Sequence, residues 1–284
     1  MLTRSDRRVV FPEVLVELSH RDVAPRAHAF ASELCSVGVS DGDVVGILIP
    51  TGPEFLPAFF ALPVVGAVAS ALPLPPVLLD PVATARQLEP IVKAGRIRQL
   101  IVAGIGEAVA VELKAADRGL VIIDASKAHL PTSVQLPITG RAQCDPASPA
   151  IVQFSSGSTA RPKGVLLSHG AALAGVTAVV EHLRFTSADV VVQRVPLFHD
   201  MGLIGLMITL ATPCDAHVMR PSTFIRKPGH LLTYAVDVQA SVVTGPNFSY
   251  DNLISAAAAC HLGPSALSHW RIALNGAESD ARRR

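Results

Sequence analysis

Short apolar runs rich in β-branched residues alternate with longer helical segments along most of this chain. That alternation restricts the fold more than any other property. Residues 44–50 (VVGILIP) form one such run, and Pro53 then marks a helix start, the place where proline is best tolerated. Residues 67–74, 98–104 and 119–124 predict strands, with helices over 80–95 and 107–116 between them. Residues 129–149 break the rhythm with four prolines and little periodicity, and predict a surface connection. The alternation then resumes, with strands over 151–155, 164–168, 189–195, 216–219, 240–245 and 270–276. Helices are expected over 171–183, 201–210, 227–237 and 247–259. Such a pattern dictates an α/β fold, parallel sheets flanked by helices and joined by right-handed crossovers. The proline-rich break divides it into a first α/β subdomain over 1–128, a connecting segment over 129–149 and a second α/β subdomain over 150–284.

Half of the 284 residues are hydrophobic and 17% are charged, enough apolar matter for a large core. A net charge of +1 with no basic stripe argues against nucleic acid as a partner. Cys35, Cys144, Cys214 and Cys260 are widely spaced, with no metal-type pairing. They read as small buried hydrophobes in a reducing, cytoplasmic compartment. No pair of histidines has zincin spacing, so no metal ligand set is assigned. The N-terminus lacks the apolar stretch of a secretory signal. Residues 55–79 carry no charge, but five prolines interrupt them. They read as a helix giving way to a buried strand, so no integral membrane protein is expected.

Residues 153–164, QFSSGSTARPKG, carry the chemistry. Ser155, Ser156, Gly157, Ser158 and Thr159 are consecutive, and Lys163 stands between Pro162 and Gly164. Small residues let the backbone approach a ligand, hydroxyls and N–H groups then face it, and the lysine adds positive charge. A strand leads into this loop and a second leads out, which separates it from a Walker-type loop opening onto a helix. A plain turn between strands needs two to five residues, whereas about ten are used here, and long ordered loops are usually functional.

Three further segments follow strands. In PLFHDMG, Phe198, His199 and Asp200 stand where α/β active sites form; the alternative is a histidine capping the next helix or satisfied in the core. In GPNFSYD, Gly245 leaves a strand and Asn247 is placed to cap a helix, which serves a strand-to-helix turn as well as a ligand contact. NGAE ends a strand with small residues: Asn275, Gly276, Ala277 and Glu278. The apolar MGLIGLM reads as core.

SSGSTARPKG resembles the phosphate-binding signature of the adenylate-forming superfamily, and VPLFHDMGLIG, TGPNFSYDNL and WRIALNGAE are similar to its fatty-acyl-AMP ligase branch. The resemblance runs from about residue 11 to Glu278 and implies the N-terminal subdomains of that fold. It implies ATP-dependent activation of a fatty acid to an acyl-adenylate, with magnesium as cofactor and an acyl carrier protein or polyketide synthase as acceptor. It places Ser155, Ser156, Gly157, Ser158, Thr159 and Lys163 on the ATP phosphates, with Lys163 catalytic by neutralising charge. It puts Phe198 and His199 against the acyl group and adenylate, with His199 positioning the carboxylate, and makes Gly245 and Asn247 line the acyl pocket. Asn275, Gly276, Ala277 and Glu278 would border adenine or ribose.

The chain departs from the pattern at Ala160, where the family has glycine; at positive φ that costs about 1 kcal/mol. The family's magnesium-binding, ribose-binding and catalytic-lysine segments have no counterpart before the terminal SDARRR. Incomplete activity is therefore expected of the chain alone, with little ATP–pyrophosphate exchange, together with an exposed edge at the last strand. A separate C-terminal polypeptide would complete the site. The alternatives are an acyl-CoA synthetase or other adenylation domain, or a catalytically inactive remnant that binds without turnover.

Overall fold

The computed structural model describes residues 5–75, 80–126, 145–155, 162–263 and 265–276. Its first sheet is built from β3 (Val44–Leu48), β4 (Val68–Ala71), β5 (Gln99–Val102) and β6 (Val121–Asp124), all parallel, with the hairpin β7 (Pro149–Ser155) and β8 (Lys163–Ser168). The order is β6-β5-β3-β4-β7-β8, with β8 antiparallel at the edge. The second sheet takes β1 (Arg8–Phe11), β2 (Val16–Ser19), β9 (Val190–Gln193), β10 (Asp215–Val218), β11 (Val242–Gly245) and β12 (Ile272–Asn275), in the order β12-β11-β9-β10-β1-β2. Only β1–β2 is antiparallel there, so the sheets are mixed but mainly parallel.

Helices α1 (His20–Ser36), α2 (Phe55–Ala61), α3 (Pro81–Ala94), α4 (Ile105–Ala116), α5 (His169–His182), α6 (Asp200–Ala211), α7 (Pro221–Arg226), α8 (Pro228–Asp237) and α9 (Asn247–Ala257) connect the strands. Their starts follow local chemistry. Asp80 caps α3 by accepting from the Val82 and Ala83 amides at 2.9 and 3.1 Å, with Pro81 in the first turn. Ser168 caps α5 through the Ala171 amide at 3.2 Å. The α2 helix starts at Phe55, two residues after Pro53.

The strand–helix alternation from residue 44 onward matches the expectation, but sheet membership crosses the expected division at 129–149. The hairpin β7–β8 extends the first sheet through β4, and the N-terminal β1–β2 joins the second sheet through β10, with Val9 opposite Ala216. Polar contacts seal that return: Asp215 accepts from the Arg8 amide at 2.9 Å and pairs with Arg7 at 2.8 Å. One core cluster spans both sheets. It includes Phe11 of β1, Phe30 of α1, Ile47 of β3, Phe59 of α2, Val176 of α5 and Leu206 of α6. Helix α6 is buried over nearly its whole length, as MGLIGLM predicts.

The uncharged stretch from residue 55 resolves into the short buried helix α2 and strand β4. Among the described residues no helix is long and apolar enough to cross a membrane. Cys214 is buried and Cys260 partly so, but Cys35 is exposed near the end of α1, against expectation, because it falls outside that helix's buried stripe of Val23, Ala27, Phe30 and Leu34. Cys144 lies outside the described residues.

Strand β12 is an edge of the second sheet, tied inward by Tyr250 of α9. The Tyr250 hydroxyl lies 2.8 Å from the Leu274 carbonyl and 3.1 Å from that of Val243, and burial pushes its pKa up to about 12, keeping it a donor. Tyr250→Phe should lower unfolding free energy by about 1 kcal/mol in denaturant titration.

Candidate active site

Strands β9, β11 and β12 run side by side and in the same direction, so the segments leaving them meet at one rim. Open α/β sheets bind ligands at this C-terminal edge. After β9 come Arg194 and the turn Val195–His199, and then α6. The His199 amide donates to the Pro196 carbonyl at 3.1 Å, and its carbonyl accepts from Leu203 at 2.9 Å, which starts the helix. Its imidazole makes no capping bond and lies 4.5 Å, centroid to centroid, from the Phe198 ring. The residue is exposed, yet the protein crowding one side of the ring lowers its pKa against the opposing pull of Asp200. The imidazole is therefore neutral at pH 7.

Strands β11 and β12 deliver their residues to the same place. Gly245 stands opposite Asn275 in register, and the Asn275 amide nitrogen donates to the Asn247 side-chain oxygen. Asn247 opens α9 itself, and no side chain caps that helix. A Cβ on Gly276 would lie 2.6 Å from the Met201 methyl, so the end of β12 abuts the start of α6. His199, Gly245, Asn247, Asn275 and Gly276 are thus brought to one rim.

The β7–β8 hairpin is joined to this rim from the other sheet. Gln153 of β7 donates through Nε2 to the Phe198 carbonyl at 3.4 Å. Ser155 ends β7 opposite Lys163, the first residue of β8, so the loop closes between paired strands. Lys163 is exposed and has no ion pair among the described residues. Ser156, Gly157, Ser158, Thr159 and Ala160 lie outside the described residues, as do Ala277 and Glu278. An apolar cleft beside Phe198 is lined by Ile47, Ile49, Phe55, Leu74 and Leu197. Among the described residues no three His, Cys, Asp or Glu side chains come together to hold a metal.

Two supports of the site were not singled out from the sequence. Gln193, buried at the end of β9, donates through Nε2 to the Gly202 carbonyl at 2.7 Å and so seats the first turn of α6. Gly202 packs so closely that a Cβ would lie 2.1 Å from the Pro196 carbonyl oxygen. A polar residue closing a β-branched run was the available sign for Gln193; for Gly202 it was the glycine of HDMG.

The AMP-binding enzyme family profile matches residues 3–280. The chain belongs to the AMP-binding enzyme family. It is 30% identical over 270 residues to the medium-chain-fatty-acid–[acyl-carrier-protein] ligase JamA of Moorena producens, covering 92% of this chain and 44% of that protein. To the long-chain-fatty-acid–AMP ligase FadD26 of Mycobacterium marinum it is 30% identical over 244 residues, 82% of this chain and 40% of that one. The fold matches a structure from work on fatty acyl-adenylate ligases of E. coli and L. pneumophila, with a TM-score of 0.81 at 24% identity over 96% of this chain and 49% of that one. The chain spans less than half the length of these relatives. In this family member, the hairpin with Lys163 and the rim with His199 occupy the adenylate-forming fold's N-terminal region.

Proposed function

We propose that the chain provides the nucleotide-phosphate and acyl sites of an ATP-dependent ligase that activates a fatty acid as its acyl-adenylate, for transfer to an acyl carrier protein or polyketide synthase. The observation that carries this reading is the Gln153–Phe198 hydrogen bond, which ties the root of the serine- and glycine-rich loop to the segment bearing His199. Polyphosphate and carboxylate would then meet between them. In the reaction a carboxylate oxygen bonds to the α-phosphorus, and the bond to the β-phosphate oxygen breaks with its electron pair leaving on pyrophosphate. No proton need move, because the acid is already ionised at neutral pH. Rate is gained by positioning and by neutralising spreading charge.

Lys163 is an exposed cation at the loop's base with no ion pair among the described residues, suited to that charge. Neutral His199 would donate a hydrogen bond to the carboxylate, and no base is called for because that acid is already ionised. Gly276 and Asn275 offer backbone and an amide to the adenine or ribose, and the apolar cleft beside Phe198 takes the start of the acyl chain. ATP fits these residues. Magnesium when bound would neutralise phosphate charge; among the described residues no three His, Cys, Asp or Glu side chains gather to hold it. Both ligase relatives support a fatty acid as the substrate, and JamA alone, named for an acyl carrier protein, supports that acceptor.

Calorimetric titration with ATP and with a non-hydrolysable fatty-acyl-adenylate analogue tests the reading. Both should bind, and Lys163→Ala should weaken ATP about tenfold while the protein stays folded. Failure of the folded chain to bind either ligand would refute it.

A further inference from the structure

Arg194 follows β9 and is buried to 4% exposure, yet no carboxylate pairs with it among the described residues. Its guanidinium carbon lies 3.6 Å from the centroid of the Phe224 ring and 5.9 Å from that of Phe248. Nε and Nη2 are both buried with no hydrogen-bond partner. Burial lowers its pKa to about 10, which leaves it a cation at neutral pH. A buried, unpaired charge is strongly unfavourable, and an aromatic face offsets only part of that cost.

The cation is aimed at the first turn of α9. Nη2 lies 2.4 Å from where a Cβ on Gly245 would stand, and the Ser249 hydroxyl lies 3.1 Å from the same point. That hydroxyl is also buried without a partner. The eleven-residue helix α9 begins here with no side-chain cap, so its positive end shares the spot. Three groups that favour an anion therefore converge, and none is neutralised among the described residues. Phe248, whose ring lies on the outer side of this spot, is 47% exposed.

The anion is not the reacting carboxylate. In the pairing of β11 with β9, Val243 stands opposite Val192, which continues to set Gly245 beside Arg194 and Thr244 beside Gln193. Side chains alternate across a strand, so Arg194 lies on the α9 face and Gln193, which holds α6 and the His199 segment, on the other. We propose that Arg194, Ser249 and the start of α9 form a carboxylate site that reads a second acid group on the substrate, so that the chain selects dicarboxylic over monocarboxylic fatty acids. This rests on the acyl-activating reading above and narrows its substrate class.

The test is calorimetric binding of α,ω-dicarboxylates and matched monocarboxylates, from four to sixteen carbons, to the full chain, with ATP titrated in parallel. At the best length the diacid should bind about tenfold more tightly than the monoacid. Arg194→Met should bring the diacid down to the level of the monoacid. Should that variant fail to fold, Ser249→Ala, which removes only an unpaired hydroxyl, should still cut the preference several-fold. Equal or tighter monoacid binding at every length would overturn the inference alone, as would a preference that survives in both variants. Binding of ATP with neither acid would overturn it together with the fatty-acid substrate; no ATP binding would overturn the acyl-activating reading itself.

Discussion

Asp189→Ala should destabilise the protein by about 3 kcal/mol, measured as a lower denaturant midpoint, because it leaves the donors gathered around a buried carboxylate without their acceptor. Asp189 precedes β9 and holds the far end of the sheet that carries the rim. Arg271 grips both its oxygens, Nε to Oδ1 at 2.9 Å and Nη2 to Oδ2 at 2.7 Å. The Ser241 hydroxyl donates to Oδ1 at 2.6 Å and the Thr186 amide to Oδ2 at 2.8 Å. Burial alone would raise the carboxyl's pKa, but these donors outweigh it and hold it at about 2, below its ordinary 3.8. Since the folded value is depressed, the stabilisation is present in full above the unfolded pKa of 3.8 and is lost as pH falls through about 2. The difference is worth about 2 kcal/mol. The alanine variant should therefore show a shallower loss of stability over that acid range than the parent. An unchanged midpoint and an unchanged acid limb would refute the assignment.

Gly202→Ala should be comparably damaging, for a steric reason. The added methyl would meet the Pro196 carbonyl oxygen at 2.1 Å, the Pro196 carbonyl carbon at 2.8 Å and the Val195 oxygen at 2.9 Å. All three are backbone atoms, so α6 and the 195–199 turn must separate by about 1 Å, at a cost of about 3 kcal/mol. The same shift moves Phe198 and His199, and binding of an acyl-adenylate analogue should weaken about tenfold or more. Gly175→Ala is the control. It lies in helix α5 with nothing within 4 Å of the new methyl, and should gain about 0.5–1 kcal/mol. Equal stability of the two variants would show that α6 is not packed as described.

Much of this was legible in the sequence because it is local. Strands such as VVGIL and VVVQ announce themselves by β-branching, and the rim residues follow strand ends that the alternation marks. The N-terminal β1, β2 and α1 were not legible. Strand β1 is four residues long, and its parallel partner β10 lies about 200 residues away, so nothing nearby in the chain indicates the pairing. Pro25 inside α1 masked a helix whose buried Val23, Ala27, Phe30 and Leu34 keep helical spacing. The same non-locality hid the crossing of the two sheets. Within the site, His199 and Asn247 carry their chemistry in their side chains and could be named early. Gln193, Arg194 and Gly202 matter through what packs on them, which only the fold reveals.

Hydrogen exchange with a non-hydrolysable fatty-acyl-adenylate analogue tests the central claim, that the loop hairpin and the rim form one site. At saturation the account predicts slowed exchange together in peptides covering 150–165, 195–203, 245–250 and 272–278, with β1–β2 unchanged. Saturable binding that protects none of these peptides, or the hairpin without the rim, would contradict it.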